Sequence, residues 1–252
     1  MMIDIRQVAM TYQSPDGEVE ALRELSFRME DGEFVSIVGP SGCGKSTLLS
    51  LIAGLEKPDR GEILVDGEPV TAPSPKVGFM PQRDQLFEWR SIWSNVTLGL
   101  DVRHQNTPER REHVRALLER YGLAEFAGKR PSQLSGGMRQ RCALIRTLAT
   151  GPRILLLDEP FSALDYQTRL SVSADIYRII RQEGKTALLV THDISEAISL
   201  SDRVVVLTGR PAELRAIHDL GPLRALSPLD RRNAPDFRTY FNLIWKELDL
   251  HA

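Results

Sequence analysis

The segment Gly39-Pro40-Ser41-Gly42-Cys43-Gly44-Lys45-Ser46-Thr47 constrains the fold of this chain more than any other, because it fits the pattern G-x-x-x-x-G-K-[ST] in the context that pattern needs. Before it stands Phe34-Val35-Ser36-Ile37-Val38, an apolar run of strand length. After it, Leu48, Leu49, Ile52 and Leu55 fall at offsets of 1, 4 and 7, one face of a helix. A strand, a glycine-rich turn and a helix in that order make a phosphate-binding loop. The glycines let the backbone turn with its N–H groups inward, and the helix N-terminus adds partial positive charge, so a polyphosphate is held chiefly by main chain. Lys45 is then placed to reach the β and γ phosphates, and the Ser46 hydroxyl to ligate Mg²⁺. The expected fold class is α/β, with helices covering a mainly parallel sheet.

Two later segments extend this reading. Ile154-Leu155-Leu156-Leu157 is a continuous apolar run, as in a parallel strand buried on both faces, and it ends in Asp158-Glu159. Carboxylates at that end of a strand lie where open α/β sheets place ligands, with Asp158 suited to the metal side and Glu159 to orienting or deprotonating water. Leu134-Ser135-Gly136-Gly137-Met138 precedes a breaker-free stretch from Arg139 to Ala149, which reads as an N-cap and helix start. Such a start binds anions, yet a single nucleotide site already furnished with a phosphate loop has no use for a second one. That surplus points to a second chain.

With these motifs in this order, the chain resembles the nucleotide-binding subunits of ATP-binding cassette transporters over nearly its whole length. Further segments fit the family: Gln82 in Met80-Pro81-Gln82 matches the Q-loop, Ser162-Ala163-Leu164-Asp165 the D-loop, and Thr191-His192-Asp193 the switch histidine. Tyr12 lies where the family has an aromatic residue stacking on adenine. The resemblance implies a P-loop NTPase with a RecA-like parallel core, an antiparallel β subdomain and an inserted α-helical subdomain. It also implies ATP and Mg²⁺, with Ser46, Gln82 and Asp158 on the metal side. Glu159 would polarise water, His192 would bridge to the γ-phosphate, and Gln82 would sense metal and phosphate. In the family two subunits face each other head to tail, so Ser135, Gly136, Gly137 and Met138 of one would close on the phosphate loop of the other. Read alone, Tyr12 is more readily a half-buried strand aromatic than a base platform, and Asp165 a helix cap.

Composition sets bounds on this. The chain has 252 residues, enough for one large α/β domain with a helical insert. No apolar stretch approaches the ~18 residues of a membrane span, and no secretory pattern follows Met1, so a cytoplasmic protein that serves a membrane through a partner is expected. A balance of 32 Lys plus Arg against 34 Asp plus Glu gives no nucleic-acid surface. Two cysteines make no disulfide framework, which fits a reducing compartment. Cys43, beside Lys45 and a helix N-terminus, is expected to have a lowered pKa and to be alkylated unless ATP protects it.

Along the chain, strand-like runs over 3–27 and 62–65 suggest an antiparallel layer, with Asp66-Gly67 a turn. Runs at 34–38, 154–157, 187–190 and 204–207 make the parallel core. The expected division is a nucleotide-binding core with its β layer over 1–82 and 150–221, a helical signature subdomain over 83–149, and a C-terminal tail over 222–252. Within the helical part, Thr107-Pro108 starts a helix whose face is Val114, Leu117, Leu118 and Tyr121, and Gly122 stops it. The aromatic loop 83–98, with Leu86, Phe87, Trp89, Ile92 and Trp93, has two readings, a local core and a surface for a permease coupling helix. In the tail, Phe237, Tyr240, Phe241, Ile244, Trp245 and Leu248 form one apolar helix face after Pro235. This tail, with Met138 and Leu207-Thr208-Gly209-Arg210-Pro211, resembles the nitrate, sulfonate and taurine import group, whereas Glu88 departs from it. The resemblance therefore implies an importer ATPase, a homodimer under two permease subunits fed by a solute-binding protein. A soluble non-transport cassette and an exporter ATPase remain alternatives.

Overall fold

The computed structural model describes residues 2–15 and 17–249. In chain order its elements are β1 (Ile3–Ser14), β2 (Gly17–Met29), β3 (Phe34–Val38), α1 (Lys45–Ile52), β4 (Arg60–Val65), β5 (Glu68–Pro69), β6 (Val77–Met80), α2 (Ile92–Val96), α3 (Leu98–Val102), α4 (Pro108–Arg120), α5 (Gly136–Leu148), β7 (Ile154–Asp158), α6 (Tyr166–Gln182), β8 (Thr186–Val190), α7 (Ile194–Leu200), β9 (Arg203–Leu207), β10 (Leu214–Asp219), α8 (Pro228–Asn233) and α9 (Pro235–Asp249). They group into two compact units, Met1–Ser74 with Gly184–Ala252, and Pro75–Glu183.

The first unit holds an antiparallel layer and a set of parallel strands. In the layer β1 pairs with β2 from Ile3↔Met29 to Ser14↔Gly17, and with β4 from Ile3↔Val65 to Ala9↔Arg60. The turn from β4 to β5 places Asp66 and Gly67 at φ of 58° and 79°, the left-handed geometry that suits the twist of a hairpin. The second set runs β10-β9-β3-β8, with β3 parallel to both β8 and β9 and β10 antiparallel at the edge. Every residue of β3 is buried, which is why its sequence shows no polar alternation. Val38, Val204 and Val206 pack with Ile194, Ala197 and Ile198 of α7 and with Ile244 of α9. The apolar face expected after Pro235 is thus core. Trp245 is the exception, 54% exposed.

The second unit is largely helical around the parallel pair β6–β7, in register from Val77↔Ile154 to Met80↔Leu157. Gly78 is needed in β6, since a Cβ there would lie 2.6 Å from the Thr147 methyl. Helix α4 begins as its sequence predicts, with Thr107 accepting from Arg110 N and Pro108 in the first turn, and it buries Val114, Leu117 and Leu118. Gly122, at φ 69°, follows its end. Gly137 lets α5 approach α6, because a Cβ would stand 2.5 Å from Val172 Cγ2.

Two details depart from the expectation. Helix α1 stops at Ile52, so Leu55 leaves its apolar face and is 58% exposed. Gly54, at φ 73°, turns the chain where a side chain would strike the Ala72 carbonyl at 2.4 Å. Strands β6 and β10 also escaped the sequence reading. One is four residues interrupted by a glycine, and the other is a largely exposed edge strand without an apolar run. Among the described residues no helix is long and apolar enough to cross a membrane. A buried parallel strand that feeds a glycine-rich turn and a helix, in one unit with an antiparallel layer, makes the α/β P-loop architecture.

Candidate functional site

In the first unit the turn 39–44 passes from the end of β3 into α1. It is closed by hydrogen bonds from Cys43 N to Pro40 O at 3.3 Å and from Leu48 N to Gly44 O at 3.0 Å. Gly44, at φ 118°, has the Ala21 carbonyl 2.7 Å from where a Cβ would be, so the position is closed to other residues by both backbone and space. Lys45 is buried, and its ammonium donates to Gly39 O at 2.7 Å and Pro40 O at 2.8 Å. The cation is held inside the turn, where an arriving phosphate would exchange neutral acceptors for charged ones. The loop and its lysine therefore fit a nucleotide polyphosphate.

Cys43 differs from the expectation. Its side chain is 2% exposed, and this burial pushes the thiol pKa up, outweighing Lys45 and Arg210, which pull it down. The helix start and lysine that suggest a reactive thiolate are present, but the sulfur is packed beneath the turn. Gly39 completes that packing, since a Cβ there would touch Sγ at 3.0 Å.

Tyr12 and His192 flank this loop within the same unit. The Tyr12 hydroxyl donates to Glu56 at 2.6 Å and lies 3.4 Å from Thr47 Oγ1, which brings the ring beside α1. Burial, with the Glu56 carboxylate, keeps its pKa raised. His192 is exposed beyond the end of β8, and its neighbours are fixed. Thr191 Oγ1 donates to Glu196 at 2.8 Å and accepts from Asp193 N at 3.0 Å, while Asp193 caps α7 through Ser195 N at 2.8 Å and Glu196 N at 3.1 Å. Gly39, Pro40, Ser41 and His192 line one cavity of about 260 Å³ together with Ile194, Trp245 and Leu248. The phosphate loop and the histidine, 150 positions apart, are thus brought together, and two residues of α9 join them. Glu56, Trp245 and Leu248 were missed as neighbours of the site, for nothing local in the sequence marks them.

The second unit carries the carboxylates and the signature. Asp158 ends β7 half-buried, and Glu159 follows at φ 43°, a strained turn for a residue with a side chain. Gln82 Nε2 lies 3.4 Å from Glu159 Oε2 and 3.3 Å from Ser162 Oγ, and Ser162 Oγ donates to Glu159 O at 3.0 Å. Asp165 caps α6 by accepting from Thr168 N at 3.1 Å. Ser135 caps α5 by accepting from Met138 N at 3.3 Å. The segment after Gln82 is bolted to this helix: Arg139 Nε donates to Asp84 at 3.1 Å, and Arg146 donates to the Asp84 and Gln85 carbonyls at 2.7 Å each. Asp84, Arg139 and Arg146 were also missed, because their pairing spans some sixty positions.

Among the described residues no group of three or more His, Cys, Asp or Glu could hold a metal alone. Ser46 in the first unit, and Gln82 and Asp158 in the second, each carry an oxygen donor of the hard kind that Mg²⁺ takes.

A glycine-rich turn that runs from a buried parallel strand into a helix and holds a buried lysine defines a P-loop nucleotide-binding fold. The chain matches the ABC transporter family over residues 22–162, and it belongs to that family as an ATP-binding subunit. Membership implies ATP binding and hydrolysis. It is 46% identical over 248 residues to the uncharacterized ABC transporter ATP-binding protein YtlC of Bacillus subtilis strain 168, covering 98% of this chain and 95% of that one. It is 40% identical over 217 residues to the aliphatic sulfonates import ATP-binding protein SsuB of Bacillus thuringiensis subsp. konkukian, covering 86% of this chain and 85% of that one. Among solved structures, the dimeric post-hydrolysis state of the ATP-binding cassette MJ0796 bound to ADP and Pi aligns with a TM-score of 0.73 at 33% identity, over 87% of this chain and 99% of that one. The structure of cbiO1 from Clostridium perfringens, part of the ABC transporter complex cbiONQ, aligns with a TM-score of 0.77 at 25% identity, over 97% and 98%.

Proposed function

We propose that this chain is the energy-coupling ATPase of an importer for a small solute of the nitrate, sulfonate or taurine type. The observation that carries this reading is the 40% identity to a sulfonate-import subunit across most of both chains. The subunit works as a homodimer on the cytoplasmic face of the membrane, beneath permease subunits and fed by a solute-binding protein. In functional terms, 1–82 and 150–221 serve as nucleotide-binding core and β layer, 83–149 as signature subdomain, and 222–252 as tail.

The residue roles are those that membership of the family implies. Gly39 to Gly44 present backbone N–H groups to the polyphosphate, Lys45 gives up its carbonyl partners for the β and γ phosphates, and Tyr12 stacks on the base. Ser46, Asp158 and Gln82 would hold Mg²⁺, which would supply positive charge against the charge that develops on the phosphates. Glu159 orients and deprotonates the attacking water, and its strained backbone fixes the direction of the carboxylate. His192 steadies the γ-phosphate. Ser135, Gly136, Gly137 and Met138 close from the second copy, and Asp165 caps α6, so catalysis is mostly positioning.

The permease contact falls on the aromatic loop, whose two readings divide by residue. Leu86 and Ile92 are buried as local core, while Trp89 is 71% exposed with Phe87 4.8 Å away, centroid to centroid. Phe87 also lines a groove of about 510 Å³ with Phe79, Pro81, Gln85, Leu98 and Val102, fitting an amphipathic coupling helix.

The test is specific ATPase activity against protein concentration, with light scattering of Glu159→Gln in ATP. Activity that rises with concentration, and a mutant whose hydrolysis drops by about 10²–10⁴ while it dimerises only with ATP, are expected. Activity independent of concentration with a monomeric mutant would sink the composite-site mechanism for the isolated chain.

A further inference from the structure

Arg210 lies 168 positions from Gly42 and touches it: Nε and Nη2 both donate to the Gly42 carbonyl, at 3.2 and 2.9 Å. Gly42 stands at φ 74° in the middle of the phosphate loop. A turn that aims several N–H groups inward must send carbonyls elsewhere, and each needs a donor. The guanidinium meets that need with a rigid, permanently charged fork.

The segment that carries Arg210 is itself fixed. Thr208 N donates to Glu213 O at 3.0 Å, Glu213 N to Thr208 Oγ1 at 2.8 Å, and Thr208 Oγ1 to Pro211 O at 3.2 Å, closing the connection from β9 to β10 on itself. Ala212 N donates to Ala21 O at 2.9 Å and Arg23 N to Ala212 O at 3.0 Å, while Arg23 pairs with Glu213 at 3.0 Å. The Ala21 carbonyl is also the atom that a Cβ on Gly44 would strike at 2.7 Å. Strand β2, the 208–213 connection and the phosphate loop therefore form a ring of contacts, which Arg210 closes.

We propose that Arg210 is a positioning residue for ATP. By holding the Gly42 carbonyl it keeps an acceptor away from the phosphates and leaves the loop's N–H groups converging on them, so it sets nucleotide affinity without touching the reacting atoms. The proposal rests on the reading of 39–47 as the ATP phosphate site.

The experiment is calorimetric titration of the full chain with Mg-ATP for wild type, Arg210→Ala and Arg210→Lys, with kcat and KM measured beside it. Affinity is expected to fall about tenfold in the alanine variant, the low end for hydrogen bonds to a charged donor because the side chain is exposed. The change falls on KM more than on kcat. Lysine, which keeps a charged donor, is expected to restore part of the loss. A parallel arm needs no nucleotide: alkylation of Cys43, followed by peptide mass, is expected to be faster in Arg210→Ala because a loosened loop uncovers the sulfur. Wild-type ATP affinity together with a wild-type alkylation rate in Arg210→Ala overturns the proposal. If that variant does not fold, Arg210→Lys and Thr208→Ala take its place, and unchanged affinity in both overturns it. If wild type itself binds no ATP, the nucleotide reading fails separately, and the alkylation arm alone decides whether Arg210 braces the loop.

Discussion

Cys142 shows how one buried atom makes stability depend on pH. It sits fully buried on α5, and burial pushes its thiol from the ordinary 9.0 up to about 12. The folded chain keeps a proton there that the unfolded chain releases. Its contribution is therefore fully present below about pH 9 and drains away as pH rises toward 12. Urea midpoints measured from pH 8 to 11 are expected to fall more steeply for wild type than for Cys142→Ala, even though the variant starts lower because of its cavity. Parallel slopes would show that the thiol does not titrate on unfolding. Tyr12, Tyr121 and Tyr240 are raised mainly by burial as well, so they add to the alkaline loss in both proteins alike.

At the scale of elements, α9 divides into a face that holds the fold and an edge that reaches the site. Ile244 is fully buried against Val38, Val204, Val206 and α7, whereas Trp245, one position on, is half exposed and lines the cavity with His192. Ile244→Ala is expected to cost about 2–5 kcal/mol of stability by urea titration, and Trp245→Ala less than about 0.5 kcal/mol. Equal costs would mean that the tryptophan also packs as core. Helix α5 is built the other way, from its end. Ser135 supplies the cap and Gly137 the clearance against Val172, so Ser135→Ala should cost about 1 kcal/mol and lower ATPase activity by more than that loss of fold explains.

For the whole molecule, the proposed permease contact is tested at Trp89. The exposed Trp89 beside Phe87 has the form of an interface anchor, and such residues carry about 2 kcal/mol or more when they fill a partner's pocket, roughly thirtyfold in affinity. Trp89→Ala is accordingly expected to weaken capture by the cognate permease by about that factor in a detergent-solubilised binding measurement. Unchanged capture would move the docking surface away from the aromatic loop.

The sequence by itself determined most of what rests on local physics, though not the end of α1 at Gly54. The phosphate loop between β3 and α1, the Thr107-Pro108 start of α4, the Ser135 cap and the Asp66-Gly67 turn were legible because caps, glycines and apolar periods act over a few residues. Family resemblance reached further, to Gln82 and His192, by their order along the chain. Tertiary structure alone decided what depends on distant segments meeting. Burial reversed the expected shift of Cys43, and β10 formed as an edge strand with no apolar run to announce it. The bond from Arg210 to Gly42 belongs to the same class. No spacing rule links positions 168 apart, because what joins them is the parallel order of β3 and β9, and that order exists only once the strands have paired.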